Sequence, residues 1–316
     1  MATEKIIAVV GATGVQGGGL VRAILADTES PFVVRALTRD PSSDKAKALA
    51  SEGVEVVAGD VDDRASLTRA FTGAHGAFCV TPFWAYMSGE RELAQARNLA
   101  EAARQAGVQH AIWSTLEDMR RWVPIDDPRM PTLQEKFTVP HYDAKGEANQ
   151  FFTQLGVPTT FLQTSFYWEN FIYFGQGPKK GPDGSLVLAL PMGSAKLPGM
   201  AAADIGKCAL AIFKRGNEFI GKTVSVAGDK LTGTQMAAAL TKALGKEVRY
   251  DAISPDVYRG FGFPGADEMG NMYQVKRDFE AEYCGARDLA AARRLNPDML
   301  TFDQWLARYG KQIPLE

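Results

Sequence analysis

The first seventeen residues constrain this chain more than any other feature. An apolar run, Ile6-Ile7-Ala8-Val9-Val10, ends in Gly11-Ala12-Thr13-Gly14-Val15-Gln16-Gly17, and residues 20–25 then follow at helical spacing. A strand, a glycine turn and a helix start, in that order, suit a dinucleotide pyrophosphate. A helix start presents free backbone N–H groups and the positive end of its dipole. Glycines let the backbone turn tightly and approach the phosphates. The spacing is G-x-x-G-x-x-G rather than G-x-G-x-x-G, and a glycine triplet alone also fits an ordinary strand-to-helix turn. The next strand pattern, residues 32–37, ends in Thr38-Arg39. An NAD site usually carries an acid there for the ribose 2′-hydroxyl; a guanidinium, with its planar fork, suits a 2′-phosphate instead. NADP(H) is therefore favoured over NAD. Asp40 follows directly and weakens the argument, and a solvated loop arginine would read the same way.

Further strand patterns fall at residues 54–58, 77–80, 108–113 and 159–162, with helical patterns over 89–105 and 142–155. Such β-α alternation implies a parallel sheet covered on both faces. Right-handed crossovers make it a doubly wound α/β sheet of the Rossmann type, with strand order 3-2-1-4-5-6. Ligands collect at the carboxyl ends of such strands, near Gly11, Arg39, Asp60, Thr81, Ser114 and Gln163. After about residue 165 the pattern changes. A turn-rich stretch (175–184) is followed by short apolar runs (186–190, 223–226, 248–252) and helical patterns (202–213, 234–244, 302–309). The expectation is a dinucleotide-binding domain over 1–165 with a return at 202–215, and a smaller α+β lobe over 166–316. Residues 117–140 show no periodicity; a loop of that length is either functional, often mobile, or a passive insertion.

Composition narrows the classes. The chain has 316 residues, 46% hydrophobic and 23% charged, with a net charge of −2. That balance gives no general pull toward nucleic acid or anionic membrane. No stretch approaches the ~20 apolar residues of a membrane span. The first strand starts too early to leave room for a leader peptide. Cys79, Cys208 and Cys284 lie far apart and form no metal-ligand spacing, so no metal is expected and a reducing compartment fits, the cytoplasm or else the nucleus.

The catalytic position is incomplete. Short-chain dehydrogenases use Ser, Tyr and Lys, the Tyr four residues before the Lys on one helix face. Here Lys145 and Ser114 are present, but His141 stands where that Tyr would be. Tyr142 lies about 100° around the helix from it. Three readings stay open. Lys145 only binds ribose and there is no turnover; or His141 is the acid, with an ordinary pKa near ~6.5; or Lys145 itself is the acid or base.

With these residues in view the chain resembles the NmrA-like family of atypical short-chain dehydrogenases. The likeness rests on Gly11 to Gly18, Val34 to Pro41, Gly59 to Asp63, His141 to Glu147, Gly156-Val157-Pro158, Phe166 to Asn170, Gly262 to Ala266 and Thr301 to Leu306. It runs closest to a human member regarded as an NADPH sensor. The resemblance implies that Gly11, Thr13, Gly14, Val15, Gln16 and Gly17 hold the pyrophosphate. Thr38 and Arg39 would meet the adenosine phosphate, Asp60 and Val61 the adenine, Thr81 the middle of the cofactor, and Lys145 the nicotinamide ribose. Members of this family include regulators without known turnover as well as reductases, so the resemblance fixes the cofactor better than the activity. The first reading is a redox sensor acting on a protein partner. The alternative is an NADPH-dependent reductase of a small carbonyl, enone or quinone, using Lys145 or His141, with Trp84, Tyr142, Phe166, Tyr167 and Phe263 lining an apolar pocket. An epimerase, which needs the tyrosine, ranks last. Oligomeric state stays open.

Overall fold

The computed structural model of the chain describes residues 4–181 and 183–315. Six parallel strands form its main sheet: β1 (Lys5–Val9), β2 (Phe32–Thr38), β3 (Glu55–Ala58), β4 (Gly76–Cys79), β5 (His110–Thr115) and β6 (Thr159–Gln163). Their order is 3-2-1-4-5-6, as the Rossmann expectation requires, with Thr223–Ser225 added beside β6. That last strand comes from a run which the sequence pattern had assigned to the smaller lobe. The helices are α1 (Val15–Ala26), α2 (Asp44–Ser51), α3 (Arg64–Phe71), α4 (Phe83–Tyr86), α5 (Gly89–Gln105) and α6 (Pro140–Gln154), followed by others named below by residue range. Strand β5 starts two residues later than its apolar pattern, because the Val108 N–H still closes α5 by donating to the Ala103 carbonyl.

The chain divides into two compact units. The first comprises residues 1–118, 141–164 and 203–224, the second 119–140, 165–202 and 225–316. In the first, β1, β4 and β5 are buried along their centres, with Ile7, Ala8, Val9, Phe78, Ile112 and Trp113 all fully enclosed. Burial on both faces is what a central parallel strand requires, and it explains the continuous apolar runs. Helix α5 buries Leu93, Ala96, Leu99, Ala100 and Ala103, an i, i+3, i+7 stripe, and starts at Ser88, whose hydroxyl accepts the Arg91 N–H. Helix Ala202–Arg215 returns to this unit and lies on α1 backbone to backbone. A Cβ at Gly206 would come within 2.1 Å of Gly19 C and Leu20 N.

The second unit holds two three-stranded sheets. One orders Asp229–Thr232, Lys196–Met200 and Phe166–Tyr167; the other orders Val248–Asp251, Leu186–Ala189 and Lys179–Lys180. Two motifs far apart in sequence build its core. Trp168 packs on Phe302 (ring centroids 5.3 Å) and Trp305 (6.1 Å), and the Trp305 indole N–H donates to Glu169 Oε1 at 3.0 Å. Glu169 Oε2 accepts the Ala202 N–H. The aperiodic segment between β5 and α6 is mostly irregular, with one 3-10 turn at Met119–Arg121 and a bridge between Leu133 and Phe137. It is nonetheless anchored. Met119, Val123, Phe137 and Val139 are buried, and the Asn271 amide donates to the carbonyls of Pro131 (2.9 Å) and Thr138 (2.8 Å).

Candidate cofactor and catalytic site

The glycine turn between β1 and α1 has the geometry its sequence suggested. Gly11 has φ +64, in the left-handed region, and its carbonyl accepts the Gly14 N–H at 2.8 Å. Gly14 caps α1 in an extended conformation, and no acidic residue lies in the first turn. A Cβ at Gly17 would fall 2.4 Å from Gly11 O and 2.8 Å from Val10 O. Only glycine therefore lets the helix start sit this close to the strand end. Gly11, Gly14 and Val15 are exposed, and Thr13 and Gln16 partly so. The result is an open cradle of first-turn N–H groups, and it fits an anionic pyrophosphate.

The other sequence-selected positions lie at the ends of neighbouring strands. Thr38 closes β2 and Arg39 follows it, exposed, with Nη1 3.2 Å from the Tyr86 hydroxyl. Asp40 points its carboxylate at its own loop: the Ser42 hydroxyl and N–H donate to Oδ1 and hold its pKa below the usual range. It therefore has a local partner of its own beside Arg39. The sequence alone missed the surroundings of Arg39. Arg91 lies 3.3 Å over the Tyr86 ring and pairs with Asp62 at 2.6 Å, and this guanidinium lowers the Asp62 pKa. After β3, Asp60 Oδ1 accepts the Asp62 N–H and the Val61 carbonyl accepts from Asn98.

At the far side of the sheet, Lys145 is buried on α6. Its Nζ donates to Thr81 Oγ1 at 2.7 Å and pairs with Glu92 Oε1 at 2.5 Å, 5.1 Å from the centroid of the Trp113 ring. The Thr81 hydroxyl in turn donates to Glu92 Oε1. The backbone here is fixed by β5, since the Thr115 hydroxyl lies 2.9 Å from the Lys145 carbonyl. Glu92 was not found from sequence. A signal existed: it occupies the buried stripe of α5 one turn before Ala96, where a carboxylate is out of place.

Ser114, read as a catalytic candidate, donates its hydroxyl to Gln16 Oε1 at 2.7 Å and so links β5 to the glycine turn. His141 is buried at 7% exposure. Three rings surround it: Tyr142 at 4.7 Å, Trp84 at 4.9 Å and Phe83 at 5.5 Å between centroids. Trp84 itself is 46% exposed. The remaining pocket candidates, Phe166, Tyr167 and Phe263, belong to the second unit. There Phe166 is buried against Phe171, while Phe263 is 40% exposed and edge-on to Tyr258. Among the described residues no cluster of His, Cys, Asp or Glu could hold a metal ion, and no helix is long and apolar enough to cross a membrane.

Sheet order and the glycine turn after the first strand define a Rossmann-type protein. Within that class the chain belongs to the NmrA-like family, whose sequence profile matches residues 3–306. It is 31% identical over 278 residues to an NAD(P)H azoreductase of Xenophilus azovorans, covering 85% of this chain and 87% of the relative. An NmrA-like family domain-containing oxidoreductase of Aspergillus flavus, lnbB, is 28% identical over 302 residues, covering 90% and 87%. Among solved structures, the negative transcriptional regulator NmrA in complex with NADP superposes with a TM-score of 0.79 at 26% identity, over 96% of this chain and 95% of that one. The same regulator has also been solved with NAD.

Proposed function

We propose that this chain binds NADP(H) at the amino-terminal glycine turn and uses it to reduce a flat, conjugated substrate, a quinone, enone or azo compound. The observation that carries the reading is His141, a buried imidazole walled by Phe83, Trp84 and Tyr142 and one helical turn before Lys145. Aromatic walls suit a planar ligand, and a few polar groups orient it. The names of relatives such as the azoreductase support the same class of reaction.

The first-turn N–H groups of α1 would hold the pyrophosphate, Arg39 the 2′-phosphate, and Lys145 the nicotinamide ribose. When bound, NADPH supplies a hydride. Reducing a C=O, C=C or N=N bond by hydride then requires one proton, and His141 would relay it from solvent. Lys145 is the weaker candidate for that step, because two of its three N–H donors are committed to Thr81 and Glu92. The test measures NADPH oxidation against a panel of quinones, enones and azo dyes. His141→Ala should lower kcat at least ~100-fold, the usual worth of a positioned acid, with cofactor affinity retained. Equal turnover in the variant, or no turnover with any acceptor, rejects the reading.

A sensor that binds NADP(H) without turnover is the second reading, favoured by the absence of a tyrosine at position 141 and by the tie between Ser114 and Gln16. It would act through the segment at 117–140. Limited proteolysis with and without NADPH tests it, and an unchanged cleavage pattern there counts against it.

A further inference from the structure

Burying a lysine and a glutamate together rarely stabilises a fold. The desolvation of both charges offsets their attraction, and apolar residues of similar volume usually do as well or better. The pair of Lys145 and Glu92 is of this kind, with side-chain exposures of 10% and 1%. Its hydrogen bonding is also lopsided. The Lys145 ammonium and the Thr81 hydroxyl both meet Glu92 Oε1, while Oε2 is buried with no hydrogen-bond partner among the described residues. An unsatisfied buried carboxylate oxygen is costly. The first turn of α5, where Glu92 sits, offsets part of that cost through its dipole. Such an arrangement is better explained by what it does to the lysine than by what it adds to the core.

We propose that Glu92 is a positioning residue for Lys145. A lysine side chain carries roughly 2 kcal/mol of rotamer entropy, and a single hydrogen bond leaves its ammonium free to turn. Here two acceptors from different elements hold Nζ: Thr81 just after β4 and Glu92 on α5. With two of three tetrahedral N–H directions taken, the third is fixed. That third N–H is the one that meets the nicotinamide ribose, so this inference rests on the cofactor reading above. Thr81 completes the triangle by donating its proton to Glu92 and offering its lone pair to Lys145. Glu92 thus supplies counter-charge and aim, and contacts no substrate.

The experiment is a double-variant cycle on the full chain with two readouts, the NADPH dissociation constant by fluorescence titration and the thermal midpoint. Lys145→Met should weaken NADPH roughly ten- to a hundredfold, as expected for losing a charge-assisted hydrogen bond. Glu92→Gln, which keeps the lysine, should weaken it at least about tenfold. The double variant should bind no worse than Lys145→Met alone and melt higher than Glu92→Gln, since no buried ammonium is left unpaired. Should Glu92→Gln fail to fold, Glu92→Asp replaces it: the charge stays, the reach shortens, and binding should fall while Tm stays near that of the parent chain. Binding within twofold of the parent in the Glu92 variant, with Lys145→Met weakened, overturns the proposal alone. Losses that multiply in the double variant overturn it as well, because a merely structural Glu92 would act independently. Unweakened binding by Lys145→Met overturns the ribose role of Lys145 and the proposal with it.

Discussion

Gly17→Ala isolates the closeness of helix and strand on which the glycine cradle depends. The added Cβ would lie 2.4 Å from Gly11 O, 2.7 Å from Gly11 C and 2.8 Å from Val10 O. All three are backbone atoms, so no side chain can swing away. Contacts of this type begin near ~3 Å, so the start of α1 must move by roughly 0.6 Å or more against β1. Overpacking of this kind costs about 1–3 kcal/mol, and the better helix propensity of alanine returns at most about 1 kcal/mol. The net loss should appear as a Tm lower by a few degrees, at about 2–4 °C per kcal/mol for a domain of this size. The larger effect falls on the cofactor, because the first-turn N–H groups move with the helix. Losing one charge-assisted bond to a phosphate costs about 1.5–3 kcal/mol, or roughly ten- to a hundredfold in the NADPH dissociation constant. Gly18→Ala serves as the control: its Cβ would meet Ala12 O at 3.0 Å and the end of the Arg22 side chain, Nη1, at 3.3 Å. Calorimetric titration and thermal unfolding of both variants decide the matter. An unchanged Tm in Gly17→Ala refutes the packing argument; a lowered Tm with parental NADPH affinity refutes the placement of the pyrophosphate.

Arg39→Ala should weaken NADPH roughly tenfold while leaving NADH binding and Tm nearly unchanged, and equal losses for both nucleotides in a titration would remove the 2′-phosphate role. Gly206→Ala should cost about 3 kcal/mol, at the upper end for overpacking, because its Cβ would strike the α1 backbone within 2.1 Å; a Tm like that of the parent chain contradicts this. His110 governs acid stability. Its Nε2–H donates to Thr160 Oγ1, whose own proton goes to the Phe219 carbonyl, and burial pushes its pKa down to about 4. The unfolded chain, with a His pKa near ~6.5, then binds a proton between those values that the folded chain refuses, so stability is full above ~6.5 and drops by on the order of 3 kcal/mol as the pH falls to 4. The slope of Tm against pH in that window should flatten in His110→Gln, leaving the part due to His75, which burial also pushes down.

The sheet was legible because its signals are local. Glycine punctuation, apolar runs and helical stripes each occupy a few adjacent residues, and the crossover rule converts their order into topology. The lone added strand at 223–225 was misassigned because a three-residue run carries no sign of which sheet it joins. At the site, the glycine turn and Lys145 could be picked out from spacing alone. Glu92, Tyr86 and Arg91 could not, since their roles come from partners on other elements. Glu92 did leave one trace, a charge on an otherwise apolar stripe, and that pattern is worth more than the first-turn preference that explains it away. The segment at 117–140 reads as a loop and is mostly irregular, but its anchoring was not legible. Its prolines and arginines hide Met119, Val123, Phe137 and Val139, which share no period and yet are all buried.

The contact of Gly206 with Gly19 ties the beginning of the chain to residues almost two hundred positions later. During synthesis the first turns of α1 therefore emerge long before the helix that packs on them, and Gly19 stays without that neighbour until Ala202–Arg215 has been made. A fragment cut at residue 165 would keep the whole glycine turn and α1 and still lack the helix that packs on them. A shortened piece that is to keep this packing has to include the late helix.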